Sequence, residues 1–397
     1  MIQKLYGILY TGNFEAHYNL NKDLYDEISK KFNFYYVIDL TSLSGSSKKI
    51  NYVKNKFPKN FIHIKIDSLR ELDKFFSNKR LICINALPIK DFKTYRLNYY
   101  LNKHNIFHVL NLRTGLHLPE YKFKKTFFHA LTLFLIGDLK HYVWRILSIL
   151  GLSYKIDVFF LGQSKIKNNF EKGFSKKVDN FFKTNIFSQY KNIIEVNNRI
   201  SDTYNRLKKN ISEKYVVYID TPFDHPDRIV REENFNIKDK KKYYKRLNLF
   251  LLKISKIFNK KVIICLHPKD FSWKKNFPKF RCTKFKSLDF IAQASVVVAT
   301  ASSLVGESAF FKKKIIVINS SLLGNYYNSR SERLSRMYNL FYQNIDSVEN
   351  LNFNKKKFFL NLSNRQRKYN YFLKKKYVIN KKISGITQII NFLKKQI

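Results

Sequence analysis

The stretch LDFIAQASVVVATASSLVGESAFFKKKIIVI, residues 288–318, decides the fold of this chain. It contains the run SVVVAT at 295–300 and all but the last residue of the run KIIVIN at 314–319, and both runs are apolar on both faces. Strands buried on both sides of a parallel sheet have this composition. A Ser-Ser turn and a segment of helical length, LVGESAFF, separate the two runs. The stretch therefore predicts strand, helix and strand in succession, which is the repeating unit of a parallel α/β fold.

The same rhythm extends from this stretch in the amino-terminal direction. In the second half of the chain it includes YVVYID at 215–220 and KVIICL at 261–266. In the first half, apolar β-rich runs alternate with polar stretches long enough for a helix, and these runs lie at 6–10, 34–40, 61–66, 81–86, 106–110, 156–161 and 193–196. Two successive parallel sheets are therefore predicted, with a boundary in the polar segment 198–213.

Length and charge limit the classes of protein to consider. The 397 residues exceed the length at which a single hydrophobic core stops growing, which also favours two domains. Hydrophobic residues make up 45% of the chain, so disorder is not expected. Lysine and arginine number 75 against 29 acidic residues, and the net charge of +46 attracts anions of any kind. Two competing explanations of this excess stay open: compositional drift in an AT-rich genome, or selection for binding to an anionic surface.

Cysteine usage and apolar segments indicate the cellular compartment. Cys83, Cys265 and Cys282 form no CxxC pair, which predicts a reducing cytosol without disulfides or a zinc site. The first residues lack the apolar run of a signal peptide, so a cytoplasmic location is expected. The most apolar segment, 126–152, is interrupted by charged residues, which predicts a buried or interfacial helix. Together with the positive charge, it suggests peripheral attachment to anionic lipid on the inner face of the cytoplasmic membrane.

Candidate site residues of the second half follow the ends of predicted strands, where ligands bind in open α/β sheets. KVIICL leads into His267 and Pro268, an imidazole beside a turn shaped by proline. SVVVAT leads into Ser302 and Ser303, whose hydroxyls and helix-start amides form a phosphate cradle or a simple helix cap. Glu307, one turn further, could accept hydrogen bonds from ribose hydroxyls or favour the helix dipole.

Two further loops carry candidate residues. After YVVYID, the segment 220–227 contains a dense set of polar and ionisable side chains: Asp220, Thr221, Asp224, His225 and Asp227. Asx-turn chemistry would use only one or two of them, so the others are expected to face a ligand. In the first half, Gly12 permits close approach of backbone to ligand, Glu15 could act as a base, and Asp39 ends the second strand.

The order strand-His-Pro and then strand-Ser-Ser-helix resembles the second domain of GT-B glycosyltransferases, in particular the bacterial sialyltransferase-like enzymes that use CMP-activated nonulosonic acids. This resemblance implies that His267 contacts the donor phosphate and assists the leaving group, with Pro268 beside it. It implies that Ser302 and Ser303 bind the same phosphate. The segment 288–318 also resembles CDP-glycerol glycerophosphotransferases of surface-polymer synthesis.

The resemblance implies an α/β fold of the GT-B class, with two Rossmann-like domains whose parallel sheets face a central cleft. An acceptor domain is expected at 1–205, a nucleotide-sugar donor domain at 206–365, and a helical segment at 366–397. In the segment 366–397, four hydrophobic residues have helical spacing: Ile383, Ile386, Ile390 and Leu393.

The implied reaction transfers a nonulosonic acid, sialic-acid-like or Kdo, from a CMP donor to a hydroxyl of a surface glycan or glycolipid. No cofactor and no metal are expected. The sialyltransferase-like group has an acidic pair followed by glycine as its general base, and no clean copy occurs here. The candidate bases are Glu15, Asp220, Asp224 and Asp227, and Glu15 and Asp227 are preferred because a base must come from a cleft-facing loop. Residues expected at the donor are Gly12, Asp220, Thr221, His225, Pro268, Ser302, Ser303 and Glu307.

Two alternatives stay open. The first keeps the fold and transfers glycerol phosphate or another polyol phosphate from a CDP donor. The second is a basic nucleic-acid-binding protein that uses its lysines and aromatic residues. Against the second, the lysines are spread along the chain and no nucleic-acid-binding motif is present, so no nucleic acid partner is expected.

Overall fold

Two parallel sheets carry the fold, as the apolar runs predict. The computed structural model describes residues 3–12, 14–44, 57–87, 97, 99–112, 156–162, 190–224, 236–267, 273–350, 356, 358–361, 378 and 382–395. These residues separate into two compact units. The first unit holds the described residues up to Arg199 and those from 378 onwards, and the second unit holds those from Ile200 to 361.

The first unit is built on a sheet of seven strands, all paired in parallel, in the order β3-β2-β1-β4-β5-β6-β7. The strands are β1 Gln3–Tyr10, β2 Tyr35–Asp39, β3 Phe61–Lys65, β4 Lys79–Asn85, β5 Ile106–Leu112, β6 Ile156–Leu161 and β7 Tyr190–Glu195. Three helices lie between the early strands: α1 Phe14–Leu20, α2 Lys22–Lys31 and α3 Leu69–Phe76. Each predicted strand of the first half corresponds to one of these seven.

The two faces of the first sheet bury separate cores because successive side chains of a strand point to opposite faces. One core contains Ile8 and Val37 with side chains from α1 and α2. The other contains Leu9, Leu81 and side chains from α3. Both faces of the central strands are therefore dry, which explains why their sequences are apolar without alternation.

The second unit contains a sheet of six parallel strands in the order β10-β9-β8-β11-β12-β13. The strands are β8 Tyr215–Ile219, β9 Lys261–Cys265, β10 Arg281–Thr283, β11 Ala294–Ala299, β12 Lys314–Asn319 and β13 Phe341–Asn344. The helices are α4 Arg199–Leu207, α5 Asp239–Phe258, α6 Trp273–Asn276, α7 Ser287–Ala292, α8 Leu304–Phe310 and α9 Gly324–Tyr338. Helix α4 begins at the last residue of the first unit.

The core of the second unit lies between its sheet and the two longest helices. Alternate residues of the strands, such as Val216, Tyr218 and Val298, pack there against α5 and α9. Both helices end at an asparagine in the left-handed conformation, Asn259 with φ 51° and Asn339 with φ 52°. Asparagine tolerates this conformation, which lets the chain turn back into the next strand.

The closing helix α10, Gly385–Lys395, belongs to the first unit. Its apolar side chains join the core that α1 and α2 cover, and those that are buried are Ile386, Ile389, Ile390 and Leu393. The Asn197 amide N–H donates to Gln388 Oε1 over 3.0 Å, and Asn197 Nδ2 donates to the Ile383 carbonyl over 2.9 Å. The end of the predicted segment 366–397 therefore belongs to the core on one face of the first sheet.

Strands β10 and β13 are not predicted from the sequence, because three or four residues at the margins of a sheet give too short an apolar pattern. The apolar segment 126–152 lies outside the described residues. Cys83, Cys265 and Cys282 are all described and are free thiols. In the part of the chain that the structure describes, no helix is long and apolar enough to span a membrane.

Candidate functional site

The strand order of the second sheet singles out one point on its carboxyl edge. From β8 the sheet continues to β9 and β10 on one side, and from β11 to β12 and β13 on the other. All strands are parallel, but the side on which successive strands are added to the sheet thus changes between β8 and β11. Ligands of open α/β sheets bind outside the carboxyl ends of the strands at such a switch point. The residues that follow β8 and β11 are therefore the first candidates for a site.

Several predicted residues of the second unit that the structure describes converge at this edge. Ile219 at the end of β8 pairs with Cys265 of β9 and with Ala299 of β11. His267, Thr221 and Ser302 thus follow three adjacent strands at nearly the same level. Neighbouring strands lie about 4.8 Å apart, so the ends of β9 and β11 are separated by about 10 Å. Side chains from both strands can reach a phosphate group placed over β8.

Two buried polar residues lie one step closer to the sheet. Asp220 is 3% exposed and Thr300 is 1% exposed. The Asp220 amide N–H donates to the Cys265 carbonyl over 2.9 Å, so the ladder between β8 and β9 continues to this level. Among the described residues, the Thr300 hydroxyl oxygen finds no hydrogen-bond partner. A buried hydroxyl without a partner costs free energy, so Thr300 is a polar position at this edge that the sequence reasoning did not single out.

Ser302 and Ser303 have different roles in the turn before α8. The Ser302 hydroxyl accepts from the Leu304 amide N–H over 3.3 Å, and the Ser302 carbonyl accepts from the Val305 amide N–H over 3.2 Å. Ser302 thus caps the helix and is partly buried. The Ser303 side chain is exposed and makes no capping hydrogen bond. Several amides of the first turn are already bonded within the chain. The Ser303 hydroxyl is therefore more available than these amides or the Ser302 hydroxyl to donate a hydrogen bond to a ligand.

Glu307 lies one turn beyond Ser303 in α8 and is 3% exposed. A carboxylate in the first turn is favoured by the helix dipole, and this contribution does not require a ligand. Its burial leaves little of the carboxylate surface for a ribose. The predicted contact with ribose hydroxyls stays a proposal.

His267 follows β9 and is half-buried. The preceding residue, Leu266, donates its amide N–H to the Thr283 carbonyl over 2.9 Å, which holds the end of β9 beside β10. His267 is thus the second residue after β9, directly beyond a position that is hydrogen-bonded to the neighbouring strand. Pro268, His225 and Asp227, which the sequence predicts as neighbours of the donor, lie outside the described residues.

The loop after β8 is fastened to the start of α5. The Phe223 side chain is fully buried, and its amide N–H donates to the Tyr244 hydroxyl over 3.3 Å. Asp224 accepts from Lys240 Nζ over 2.8 Å. Asp224, one of the carboxylates of this loop, is therefore engaged in an ion pair that anchors the loop. Thr221 is half-buried at the strand end.

The first sheet has its own switch point, between β1 and β4. Gly12 follows β1 with φ 85°, a conformation that favours glycine. Its amide N–H donates to Thr41 Oγ1 over 2.8 Å, and the Thr41 hydroxyl donates in turn to Asp39. Asp39 also accepts from the Thr41 amide N–H over 2.9 Å. Among the described residues, none lies within 4 Å of where a Cβ atom at Gly12 would be.

Two other side chains belong to this edge of the first sheet. Glu15, in the first turn of α1, is half-buried. Asn85 at the end of β4 is 4% exposed, and its Oδ1 accepts from the Leu87 amide N–H over 2.8 Å. The sequence reasoning missed Thr41 and Asn85. A polar residue at the end of an apolar run is the signal that could have identified both. Within the described residues, no group of three His, Cys, Asp or Glu side chains could hold a metal ion.

Comparisons with known proteins identify the fold. No family model and no curated protein matches this sequence. The structure is similar over the whole chain to a solved structure of the wall teichoic acid polymerase TagF, with a TM-score of 0.53, 13% sequence identity and 89% of that chain covered. It is also similar to a putative UDP-N-acetylglucosamine 2-epimerase from Listeria monocytogenes, with a TM-score of 0.51, 8% identity and 97% of that chain covered.

A third similar structure is Phytolacca americana UGT2 complexed with UDP-2fluoro-glucose and pterostilbene, with a TM-score of 0.50, 10% identity and full coverage of both chains. This chain has the GT-B fold of two Rossmann-like domains. The fold expected from the His-Pro and Ser-Ser pattern is thus confirmed. At these identities the similarity establishes the fold alone, and the narrower sialyltransferase-like resemblance stays a proposal.

Proposed function

We propose that this chain is a transferase that binds a cytidine-nucleotide donor at the carboxyl edge of the second sheet and releases CMP. The observation that carries this proposal is the convergence of His267, Ser302 and Ser303 around the switch point between β8 and β11. Imidazole and hydroxyl groups donate hydrogen bonds to phosphate oxygens. The GT-B fold supports a nucleotide-linked donor, because the similar structure of Phytolacca americana UGT2 contains UDP-2fluoro-glucose.

The first candidate donor is a CMP-linked nonulosonic acid, sialic-acid-like or Kdo. Attack of an acceptor hydroxyl on the anomeric carbon breaks its bond to the phosphate oxygen, and CMP leaves with the bonding electron pair. His267, beside Pro268, offsets the charge that develops on this phosphate, and Ser302 and Ser303 bind its oxygens. In many enzymes, preorganised hydrogen-bond donors aimed at developing charge make the largest single contribution to the rate enhancement. The step needs no metal ion or cofactor.

The acceptor is a glycan or glycolipid hydroxyl, which loses its proton to a carboxylate. Glu15 of the first unit and Asp227 of the second are the proposed bases. Gly12 allows close approach of the backbone to a ligand. We assign the other predicted residues to the donor: Asp220, Thr221, His225 and Glu307.

The second candidate is transfer of glycerol phosphate or another polyol phosphate from a CDP donor. The similarity to TagF favours it, because solved structures of that polymerase include one soaked with CDPG, at a TM-score of 0.52 and 12% identity. In this reaction the acceptor oxygen attacks the β-phosphorus, and the bond to the α-phosphate oxygen breaks. CMP again leaves, so the same His267 and Ser303 contacts serve either donor.

Thermal denaturation with a panel of nucleotides tests the proposal. Ligands that bind the folded state raise its stability by mass action. We expect CMP and CDP, in buffer with EDTA, to raise the melting temperature more than UDP or GDP. Stabilisation by UDP alone would reject a cytidine donor. Stabilisation that needs added manganese would reject the metal-free assignment.

Donor hydrolysis then separates the two candidates. The protein is incubated with a CMP-nonulosonate or with CDP-glycerol, and CMP is measured. Release of CMP from only the first supports a glycosyltransferase, and release from only the second supports a phosphotransferase.

A further inference from the structure

The carboxyl edge of the second sheet carries an exposed aromatic side chain in an unfavourable backbone conformation. Phe285 follows β10 by two residues, is 54% exposed and has φ 61°. This left-handed region is uncommon for any residue other than glycine and is an outlier for a bulky one. The cost of such a conformation is tolerated where function needs the side chain. Lys284 and Lys286 flank Phe285 on either side.

Helix α5 presents a lysine face at the same edge. The helix contains seven basic residues and one acidic residue, Asp239. The first turns of α5 and the residue before it expose four lysines with the spacing of one helical face: Lys238, Lys241, Lys242 and Lys245. We call these four side chains the lysine face. Ile237, directly before it, is 51% exposed.

The contacts of α5 establish that the lysine face lies at the carboxyl edge. Lys240 in the first turn bonds Asp224, which follows the end of β8. Tyr244 in the next turn bonds the amide of Phe223 in the same loop. Phe285 lies at this edge because β10 runs parallel to β9 and ends at Thr283. The candidate donor site, the lysine face and Phe285 therefore lie at one edge of one sheet.

We propose that this edge binds an anionic lipid bilayer through the lysine face, with Phe285 and Ile237 inserted among the head groups. Lysines near an anionic membrane surface each favour binding by about fivefold. Exposed apolar side chains beside them add the burial of hydrocarbon, which a soluble polyanion does not offer; nucleic-acid bases stack on an aromatic ring such as Phe285 but not on an aliphatic side chain such as Ile237. This combination of lysines and apolar residues favours a lipid surface. The inference holds whichever donor the second unit binds.

Vesicle sedimentation with the full-length protein tests the proposal. The vesicles contain equal parts of phosphatidylglycerol and phosphatidylcholine, and vesicles of phosphatidylcholine alone provide the reference. Changing the four lysines to glutamine should weaken binding at low salt by roughly 600-fold, from about fivefold for each lysine. Molar salt, with a Debye length of about 3 Å, should reduce wild-type binding strongly.

A matched control separates this surface from the overall charge. Lys208, Lys209, Lys214 and Lys260 are exposed at the opposite, amino edge of the same sheet. Their joint substitution by glutamine removes the same charge and should change vesicle binding by less than about tenfold, because screening limits the reach of surface charges. Equal losses in both quadruple variants would overturn the proposal and indicate a nonspecific effect of net charge.

Phe285→Gly tests the apolar contribution. Glycine adopts φ 61° without strain, so this variant should melt at a slightly higher temperature than the wild type while binding vesicles roughly tenfold more weakly. Phe34→Ser, at a residue that is 62% exposed before β2, is the control and should leave binding unchanged. Wild-type vesicle binding by Phe285→Gly would contradict insertion of Phe285.

Two further measurements complete the test. A random-sequence oligonucleotide that binds through the lysine face, while the vesicles do not bind, would assign this surface to nucleic acid and reject the proposal. Stabilisation by CMP should be the same in the quadruple lysine variant and the wild type. Loss of vesicle binding with intact nucleotide stabilisation therefore separates this inference from the proposed function.

Discussion

The different roles of Ser302 and Ser303 lead to a prediction that two alanine variants can test. Ser302 caps α8 through its hydroxyl, whereas the Ser303 side chain makes no capping hydrogen bond. Loss of a serine cap costs about 1 kcal/mol, which lowers the melting temperature of a domain of this size by about 2–4 °C. Ser302→Ala should show this loss, and Ser303→Ala should melt within about 1 °C of the wild type.

Nucleotide binding should separate the same two variants in a second way. A hydrogen bond to a charged phosphate contributes about 1.5–3 kcal/mol, so Ser303→Ala should bind CMP about 10- to 100-fold more weakly. At a CMP concentration near 100 times the wild-type dissociation constant, stabilisation should fall from about 2.7 kcal/mol toward about 0.4 kcal/mol. Scanning calorimetry with and without CMP measures both quantities. A Ser303→Ala variant with full CMP stabilisation would refute the assignment of its hydroxyl to the phosphate.

Three further outcomes are expected. Thr300→Val should raise the stability of the protein by about 1 kcal/mol in urea denaturation, since it removes a buried hydroxyl without a partner among the described residues. Lower stability of this variant would show that the hydroxyl is satisfied. Gly12→Ala should lower the free energy of unfolding by about 1–2 kcal/mol in the same assay, because residue 12 has φ 85°. An unchanged urea midpoint would contradict this prediction. Burial lowers the pKa of His17 to about 4, so between pH 6.5 and 4 only the unfolded state takes up the proton. The free energy of unfolding should therefore fall by up to about 3 kcal/mol as the pH drops through this range. His17→Gln should lessen this pH dependence, and an equal dependence in both proteins would exclude His17 as its source.

Much of the fold is predictable from the sequence because buried parallel strands give strong local patterns. KIIVIN at 314–319, for example, is both a predicted strand and β12. The closing helix shows the limit of such patterns. The spacing of Ile386, Ile390 and Leu393 predicts a helix, but its place in the first core depends on contacts with residues distant in sequence, such as Asn197.

The candidate site is predictable in part for a similar reason. Parallel strands bring their carboxyl ends to one edge, so His267 and Ser302 are expected together without knowledge of the strand order. The strand order adds that β8 lies between them. No local sequence pattern tells which of the two serines caps α8. The ion pair between Asp224 and Lys240 likewise depends on side-chain geometry that such patterns do not encode.

The measurement that tests the central claim most directly is CMP release by the wild type and by His267→Ala, in buffer with EDTA, from the donor that stabilises the protein best. Removal of a group that offsets developing charge costs about 3 kcal/mol, or roughly a hundredfold in rate. We predict this loss of turnover at an unchanged melting temperature, because His267 lies beyond the buried part of β9. Near wild-type turnover by a folded His267→Ala variant would contradict the proposed site.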